Sequence, residues 1–376
     1  MLRKGLARGS GLGYHGAGDR GMSEELRQIL FSHSMPAAPD LVRREDDGAL
    51  RCLACGNRCR VMDGDSGICR VRMNCRGELR VPGGYVAGLN VDPIEKKPFY
   101  HVFPGQTALS FGMLGCNLHC SFCQNWISSQ ALKDAQSGGS IRPVTAQRLA
   151  DMAVEAGAPV MVSTYNEPLI TADWAREVFE KACERGIVCG FVSNGYATPE
   201  VIAFLRPVMK LYKVDLKCFS ESGYRELGGR LKTVLETIGL LRELDYWVEV
   251  VTLVVPGFND DSEQLAGMAR TLAALDPCIP WHVTAFHRDY RRTQGRDTNA
   301  GDLRRAYDAG KEAGLRYVYA GNLPGRMAGA ENTYCPQCGA LLVERCGFHV
   351  RVNRLTDGAC PLCRHAIPGV WKSVGT

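Results

Sequence analysis

The chain has 376 residues, of which 45% are hydrophobic and 23% are charged, and its formal net charge is +5. These values are typical of a globular protein with one large domain and smaller modules. The strongest apolar run, residues 248–255, is much shorter than a membrane span, and the small, dispersed charge argues against nucleic acid as a partner.

Seventeen cysteines are present, and eleven of them form three clusters of the kind that bind metals. The N-terminus lacks the apolar segment of a secretory signal, so we expect a cytoplasmic protein whose thiols stay reduced. The cysteines outside the clusters are predicted to be small hydrophobic residues, most of them buried. They are Cys75, Cys183, Cys189, Cys218, Cys278 and Cys346.

Residues 1–48 are predicted to be a flexible leader, in which Met22 or Met35 is an alternative start and residues 23–31 form a short helix with Ser23 as its N-cap. Residues 11–16 match the pattern G-x-G-x-x-G. No strand precedes them and no helix follows directly, so the pattern does not indicate a dinucleotide site.

Residues 49–105 are predicted to form an N-terminal cysteine module. Four of its five cysteines are close together in sequence with glycines between them, which suits a metal site. An auxiliary iron–sulfur cluster, a zinc ion and a small thiol-lined core without metal all remain open. The four are Cys52, Cys55, Cys59 and Cys69.

Residues 106–325 alternate apolar, strand-like runs with amphipathic, helix-like stretches. Strands that are apolar throughout, each followed by a helix, predict an α/β protein with a parallel sheet covered by helices. A partial (β/α)6 TIM-like barrel fits better than an open doubly wound sheet, although periodicity alone leaves both open. The predicted strands are 108–113, 160–164, 187–193, 208–215, 247–255 and 281–286, and residues 302–313 and 316–319 form a further pair.

Residues 326–376 contain two C-x2-C motifs that are separated by strand-like sequence. This is the spacing of a zinc ribbon, and a structural zinc is preferred over an auxiliary cluster. The predicted ligands are Cys335, Cys338, Cys360 and Cys363.

Three cysteines in C-x3-C-x2-C spacing directly follow the first barrel strand. Three thiolates bind three irons of a [4Fe–4S] cluster and leave the fourth iron open for a substrate or cofactor. Zinc with His119 as a fourth ligand is the alternative. The three are Cys116, Cys120 and Cys123, and Phe122 offers an apolar face beside them.

Polar residues follow the other barrel strands, where chemistry concentrates in TIM-like barrels. Taken singly, each has a plain structural explanation, as a helix-terminal acid, a turn, a surface pair or a solvated side chain. Their recurrence at successive strand ends predicts one shared site. They are Asn166, Glu167, Ser193, Asn194, Asp215, Lys217 and His287.

The three-cysteine motif and the residues around it, over about residues 107–323, resemble the radical S-adenosylmethionine (radical SAM) enzymes. The resemblance implies that S-adenosylmethionine chelates the open iron, and that one electron cleaves it to methionine and a 5′-deoxyadenosyl radical that abstracts hydrogen from a substrate. It further implies that Glu167 contacts the methionine amino group, that Ser193 and Asn194 hold its carboxylate or the ribose, and that Lys217 meets the carboxylate. Tyr165 and Asn166 stand where the family has two glycines.

Most of the chain after Arg51 resembles a narrower group, the AmmeMemoRadiSam-system radical SAM enzymes, which are relatives of the pyruvate formate-lyase activating enzymes. The resemblance rests on four stretches besides the N-terminal cysteines, at residues 67–72, 92–98, 123–126 and 366–371. It implies Memo-like and AMMECR-type partners, an electron donor such as flavodoxin or ferredoxin, and no settled substrate.

The sequence therefore predicts an enzyme that makes a radical on a small molecule or a protein. An activase that generates a glycyl radical on a partner protein is one version, and the additional cysteine modules argue mildly against a minimal activase. A metal-binding or electron-transfer protein without turnover is the alternative of a different class, and it would need a fourth ligand at the three-cysteine loop.

Overall fold

The computed structural model describes residues 24–371, which form nine α-helices, three short 3-10 helices and nineteen strands. None of the described helices has the length and apolar character needed to cross a membrane. The helices are α1 (Glu24–Ser32), α2 (Trp126–Ser129), α3 (Ala146–Glu155), α4 (Ala172–Cys183), α5 (Pro199–Leu205), α6 (Glu221–Leu227), α7 (Leu231–Glu243), α8 (Ser262–Leu275) and α9 (Ala300–Glu312). The strands are β1 (Ser34–Pro36), β2 (Val42–Arg44), β3 (Leu50–Cys52), β4 (Arg60–Val61), β5 (Met73–Cys75), β6 (Glu78–Pro82), β7 (Tyr85–Val86), β8 (Gly88–Pro93), β9 (Thr107–Gly112), β10 (Arg142–Pro143), β11 (Val160–Ser163), β12 (Val188–Ser193), β13 (Leu211–Asp215), β14 (Trp247–Val254), β15 (Trp281–Ala285), β16 (Val318–Gly321), β17 (Thr333–Tyr334), β18 (Leu341–Cys346) and β19 (His349–Asn353).

The central element is an eight-stranded sheet in the order β16-β15-β14-β13-β12-β11-β9-β8. Seven of its strands run parallel, and β8 pairs antiparallel with β9 at one edge. The edge strands β8 and β16 do not pair with each other, so the sheet stays open. The predicted partial TIM-like barrel is therefore confirmed, and the further pair predicted at residues 302–313 and 316–319 corresponds to α9 and β16, which add a seventh unit.

Local sequence explains where the helices around the barrel begin. Thr145 and Thr198 accept hydrogen bonds from the backbone N–H groups of Arg148 and Val201, as N-cap residues do. Ser220 caps α6 in the same way, and Gly228 ends that helix with a φ of +84°. This helix was not predicted, although a serine before it and a glycine after it are the signals that mark helix ends.

The N-terminal module is built from short antiparallel strands, and its folded part begins earlier than predicted. Strand β1 pairs with β6, and β2 pairs with β3. Leu41 is fully buried. These contacts bury apolar surface, so the prediction of a flexible leader over residues 1–48 is too long. Residues 1–23, with the G-x-G-x-x-G match and the expected cap at Ser23, lie outside the described residues.

The C-terminal module, with the small sheet β17-β18-β19, packs against the connection between β8 and β9. Arg345 donates to the backbone oxygen of Tyr100 at 2.8 Å and faces Glu95 at 3.4 Å, and both charged side chains are fully buried. His101 bonds the backbone oxygen of Pro368 at 2.7 Å. Buried charges are costly unless paired, so this interface holds the module in one position beside the open side of the barrel.

Candidate active site

A cavity of about 430 Å³ lies inside the barrel and reaches the cysteine loop at the ends of its strands. Ser193 lies directly behind its wall, where its hydroxyl contacts Glu167. His287 is exposed and is not part of the lining. The predicted residues that line the cavity are Cys116, Cys120, Phe122, Cys123, Asn166, Glu167, Asn194, Asp215 and Lys217.

The three-cysteine loop leaves β9 through Gly115, whose φ is +97°. A side chain there would lie 3.1 Å from Val71 and 3.3 Å from the carbonyl oxygen of Cys69, so glycine is required by both conformation and space. The backbone N–H of Leu118 points to the Cys116 sulfur at 3.4 Å. The loop therefore presents its sulfurs to the cavity and its backbone to the N-terminal module.

The three sulfurs do not form the compact ligand group that a single metal ion requires. Thiolates on one tetrahedral zinc lie about 3.8 Å apart, given Zn–S bonds of about 2.3 Å. Within residues 24–371, one set of three or more potential metal ligands has all its ligand atoms within 4.8 Å of one another. That set is the C-terminal cysteine group and not this loop. His119 is exposed and does not line the cavity. Three thiols spread around one cavity fit three separate irons.

Glu167 is buried at the end of β11, and its carboxylate is held by three donors. The Ser193 hydroxyl donates to Oε1 at 2.7 Å, and the backbone N–H groups of Leu169 and Asn194 donate at 3.1 and 2.8 Å. Burial nevertheless raises the pKa of Glu167 to about 7. A cationic or hydrogen-bond-donating ligand group in the cavity would favour the carboxylate.

The two residues before Glu167 hold the strand ends together. Tyr165 has a φ of +70°, a conformation that glycine usually supplies, and its hydroxyl accepts a hydrogen bond from Asn90 at 2.9 Å. Asn166 accepts from the backbone N–H of Met113 at 2.9 Å. Asn166 therefore connects the end of β11 to the segment that leads into the cysteine loop.

Asp215 ends β13 between two lysines, of which Lys213 was not predicted. Asp215 pairs with Lys213 through one oxygen and with Lys217 at 3.2 Å through the other. Burial alone would lower the pKa of Lys217, but the Asp215 carboxylate and the Cys120 thiol raise it. Burial lowers the pKa of Lys213. Lys213 could have been found from the sequence, because a lysine inside an otherwise apolar strand indicates a site residue.

The cavity extends beyond the predicted residues, towards the earlier parts of the strands. Lys97 donates to Ser110 at 2.7 Å, and His282 bonds the fully buried Glu249 at 2.7 Å. Glu249 also accepts from the backbone of Tyr100 at 2.9 Å. These residues come from segments far apart in sequence, so strand ends alone did not indicate them. The additional lining includes Lys97, Tyr100, Lys213, His282, Asn322 and Phe348.

The C-terminal cysteines form a compact group on the surface of their module. Their four sulfurs lie within 4.8 Å of one another. The Cys335–Cys363 and Cys338–Cys360 sulfurs are 3.5 and 3.7 Å apart, close to the tetrahedral spacing expected around zinc. The predicted four-thiolate set is therefore brought together, and it can hold a metal.

The N-terminal cysteines lie near one another but are spaced differently. Cys52, Cys55 and Cys69 are buried, and Cys59 is half-buried. Among the described residues, the compact group with all ligand atoms within 4.8 Å of one another is the C-terminal one, and these four cysteines are not part of it.

Comparisons with known proteins identify similarities over different parts of the chain. Residues 112–269 match the family model described as the Radical SAM superfamily. An uncharacterized protein of Methanocaldococcus jannaschii is 35% identical over 326 residues, covering 86% of this chain and 96% of that protein. A pyruvate formate-lyase-activating enzyme of Staphylococcus aureus is 25% identical over 227 residues, covering 56% of this chain and 88% of the enzyme. The crystal structure of a radical SAM methyltransferase from Sphaerobacter thermophilus matches with a TM-score of 0.44 and 15% identity, over 85% of this chain and 86% of that one.

Proposed function

The chain belongs to the radical SAM superfamily and is related to the pyruvate formate-lyase-activating enzymes, and we propose that it binds a [4Fe–4S] cluster through Cys116, Cys120 and Cys123 with S-adenosylmethionine beside it. When bound, such a cluster would supply the electron for cleavage of S-adenosylmethionine to methionine and a 5′-deoxyadenosyl radical, and that radical would abstract hydrogen from the substrate. The observation that carries the proposal is that the three thiols share one cavity with Glu167, Asn194, Asp215 and Lys217.

The protein groups have separate tasks in this proposal. The Glu167 carboxylate, already oriented by Ser193, accepts a hydrogen bond from the amino group of S-adenosylmethionine. Lys217 places a positive charge where the methionine carboxylate is expected, which is the favourable pairing of a compact cation with an anion. Phe122 packs against Phe258 at 5.1 Å between ring centres, and this apolar wall keeps water from the reacting end.

The remaining part of the cavity is the proposed substrate site. Lys97, Tyr100, His282 and Asn322 line it beyond the proposed S-adenosylmethionine contacts, and Phe348 of the C-terminal module closes one side. A small molecule or a protein segment can be accommodated by these polar groups. The relation to an activating enzyme favours a peptide or protein, and glycyl-radical formation on a partner protein is the specific alternative.

Several predictions from the sequence stay predictions. They concern a flavodoxin or ferredoxin as electron donor, Memo-like and AMMECR-type partners, and a cytoplasmic location. The reductant requirement itself follows from the proposed chemistry, because each cleavage of S-adenosylmethionine consumes one electron.

The test is product formation by the anaerobically reconstituted protein. Dithionite with S-adenosylmethionine should yield 5′-deoxyadenosine, and Cys120→Ala should abolish it. Cys189→Ala is the matched control, because Cys189 is an equally buried cysteine in β12 that lies outside the cavity lining. Product from Cys120→Ala at the control rate would show that the cluster assignment is wrong.

The substrate class is tested by isotope transfer. Candidate peptides, proteins and small molecules deuterated at carbon would be incubated with the active enzyme. Deuterium in 5′-deoxyadenosine identifies the substrate, and deuterium from a glycine α-carbon of a protein identifies an activase.

A further inference from the structure

The four cysteines of the N-terminal module lie directly behind the catalytic loop, and we propose that they hold an auxiliary iron–sulfur cluster that passes electrons to the catalytic one. The assignment of this site is independent of the proposed function, whereas the electron route rests on it. The ligands are Cys52, Cys55, Cys59 and Cys69.

The four N-terminal thiols are mostly buried and are less compact than the C-terminal group. Three of them are buried in a module whose strands have only two to five residues. Among the described residues, the C-terminal cysteines alone reach the close spacing of a mononuclear site, with pairs at 3.5 and 3.7 Å. Thiolates that bind different irons of one cluster are necessarily further apart than thiolates on one ion. The N-terminal thiols do not form such a compact group, which is compatible with the wider spacing that a cluster requires.

A buried arginine supplies an independent reason to expect an anionic group here. Arg72 is 1% exposed, and its Nη1 atom pairs with Asp173 and donates to the backbone oxygen of Ile170 at 3.2 Å. Its Nε and Nη2 atoms have no hydrogen-bond partner among the described residues. The thiols of Cys52 and Cys69 lie within electrostatic range of this guanidinium.

Two unpaired, buried donors of a charged group carry an uncompensated desolvation penalty. A core lined only by neutral thiols would leave that cost in place. The sulfurs of a cluster with a net negative charge would accept both hydrogen bonds, and the backbone N–H of Ile68 already points to the Cys59 sulfur at 3.4 Å. Arg72 is therefore suited to stabilise a cluster from the protein side.

The position of the module connects the two metal sites. The carbonyl oxygen of Cys69 lies 3.3 Å from the place where a side chain on Gly115 would begin. The Asn57 amide donates to the backbone oxygen of Asn117 at 3.4 Å. Gly115 and Asn117 are the two neighbours of Cys116, so the cluster-binding segments touch on both sides of a catalytic ligand.

The electron balance of the route is simple. A one-electron carrier protein, such as a reduced flavodoxin, reduces the auxiliary cluster and is itself oxidised. The auxiliary cluster then gives that electron to the catalytic cluster, and one electron is used for each S-adenosylmethionine cleaved. No proton transfer is needed in either step.

The first experiment asks whether the site exists. A variant with Cys116, Cys120 and Cys123 all replaced by alanine, reconstituted anaerobically, should retain iron and acid-labile sulfide, and it should lose both when Cys55 and Cys59 are also replaced by serine. Its reduced form should give an electron paramagnetic resonance signal that S-adenosylmethionine does not change. Zinc without iron, or no metal at all, would overturn the proposal even if the wild-type protein produces 5′-deoxyadenosine.

The second experiment tests Arg72 in the same background. Arg72→Lys keeps the positive charge and the pairing with Asp173 but removes the two free donors. Hydrogen bonds to cluster sulfurs raise the reduction potential, so we expect a lower midpoint in a redox titration with unchanged iron content. Arg58→Lys, which alters a pair with Glu200 in the same module, should leave the midpoint unchanged. Equal reduction midpoints in the triple-alanine variant with and without Arg72→Lys would overturn the proposed hydrogen bonds from Arg72 to the cluster.

The third experiment tests the electron route in the chain with its catalytic cysteines intact. Cys55→Ser combined with Cys59→Ser should reduce flavodoxin-driven formation of 5′-deoxyadenosine at least tenfold. S-adenosylmethionine should still change the signal of the catalytic cluster, which shows that its site is intact. An undiminished rate, or loss of that spectral change, would overturn the route.

Discussion

The hydroxyl of Ser193 donates a 2.7 Å hydrogen bond to the Glu167 carboxylate and so joins the ends of two neighbouring parallel strands. The hydroxyl itself accepts from Tyr212 at 3.0 Å and from the backbone N–H of Gly195 at 3.0 Å. Glu167 is thus oriented before any ligand binds. A ligand that meets an oriented carboxylate loses less entropy on binding than one that must order it.

Ser193→Ala should weaken binding of S-adenosylmethionine about tenfold, because a hydrogen bond to a charged group is worth about 1.5–3 kcal/mol. The Kd from titration of the cluster spectrum measures this. Ser163→Ala is the matched control, since Ser163 is equally buried at the end of β11 and its hydroxyl has no partner among the described residues. Equal affinities of the two variants would contradict the assigned role of Ser193.

Binding of S-adenosylmethionine should depend on pH through Glu167. Burial raises the pKa of this carboxyl to about 7, above its ordinary value of 4.5. The proposed contact needs the ionised form, so affinity should rise as the pH rises through 7, by about tenfold between pH 6 and 8. Glu167→Gln should bind more weakly and lose this dependence. A wild-type profile without a step in this range would argue against the contact.

Much of the barrel and of its reactive edge was predictable from the sequence, because apolar runs and helix caps are local signals. Strand β15 was predicted as residues 281–286 and is Trp281–Ala285, and β12 was predicted as residues 187–193 and is Val188–Ser193. Parallel strands place their C-terminal ends at one edge of the sheet, which is why residues after different strands meet in one cavity.

Other parts of the site depend on contacts between distant segments and could not be predicted. Tyr100 enters the cavity because its backbone is held by Glu249, 149 residues further along the chain. His287 directly follows the predicted strand, but β15 ends at Ala285, and His287 is exposed because the hydrophobic period no longer fixes side-chain direction once a strand has ended. The orphaned donors of Arg72 likewise become visible only when the module is folded.

Lys217 and Lys213 should differ in their effects, although both pair with Asp215. Lys217→Met should weaken S-adenosylmethionine binding at least tenfold, because it removes the charge assigned to the methionine carboxylate. Lys210→Met, a change at an exposed lysine that is not part of the cavity lining, is the control and should bind normally. If Lys213→Met weakens binding and Lys217→Met does not, the carboxylate contact belongs to Lys213.

The C-terminal cysteine group should bind one zinc that stabilises the module and, through it, the open side of the barrel. Cys338→Ser removes one of four ligands whose sulfurs already lie at metal-binding distances, so we expect loss of the zinc. Because a four-thiolate site stabilises a segment with little core of its own, the Tm should fall by roughly 5 °C or more.

Cys346→Ser is the matched control, because Cys346 ends β18 in the same module but lies outside the group. It should keep the zinc and the wild-type Tm. The module is held to the barrel by the buried pair of Arg345 and Glu95, and Phe348 reaches the cavity. Loss of zinc should therefore also weaken substrate binding more than S-adenosylmethionine binding. Iron in place of zinc at full occupancy, after reconstitution with both metals, would contradict the assignment and make this group the auxiliary cluster site instead.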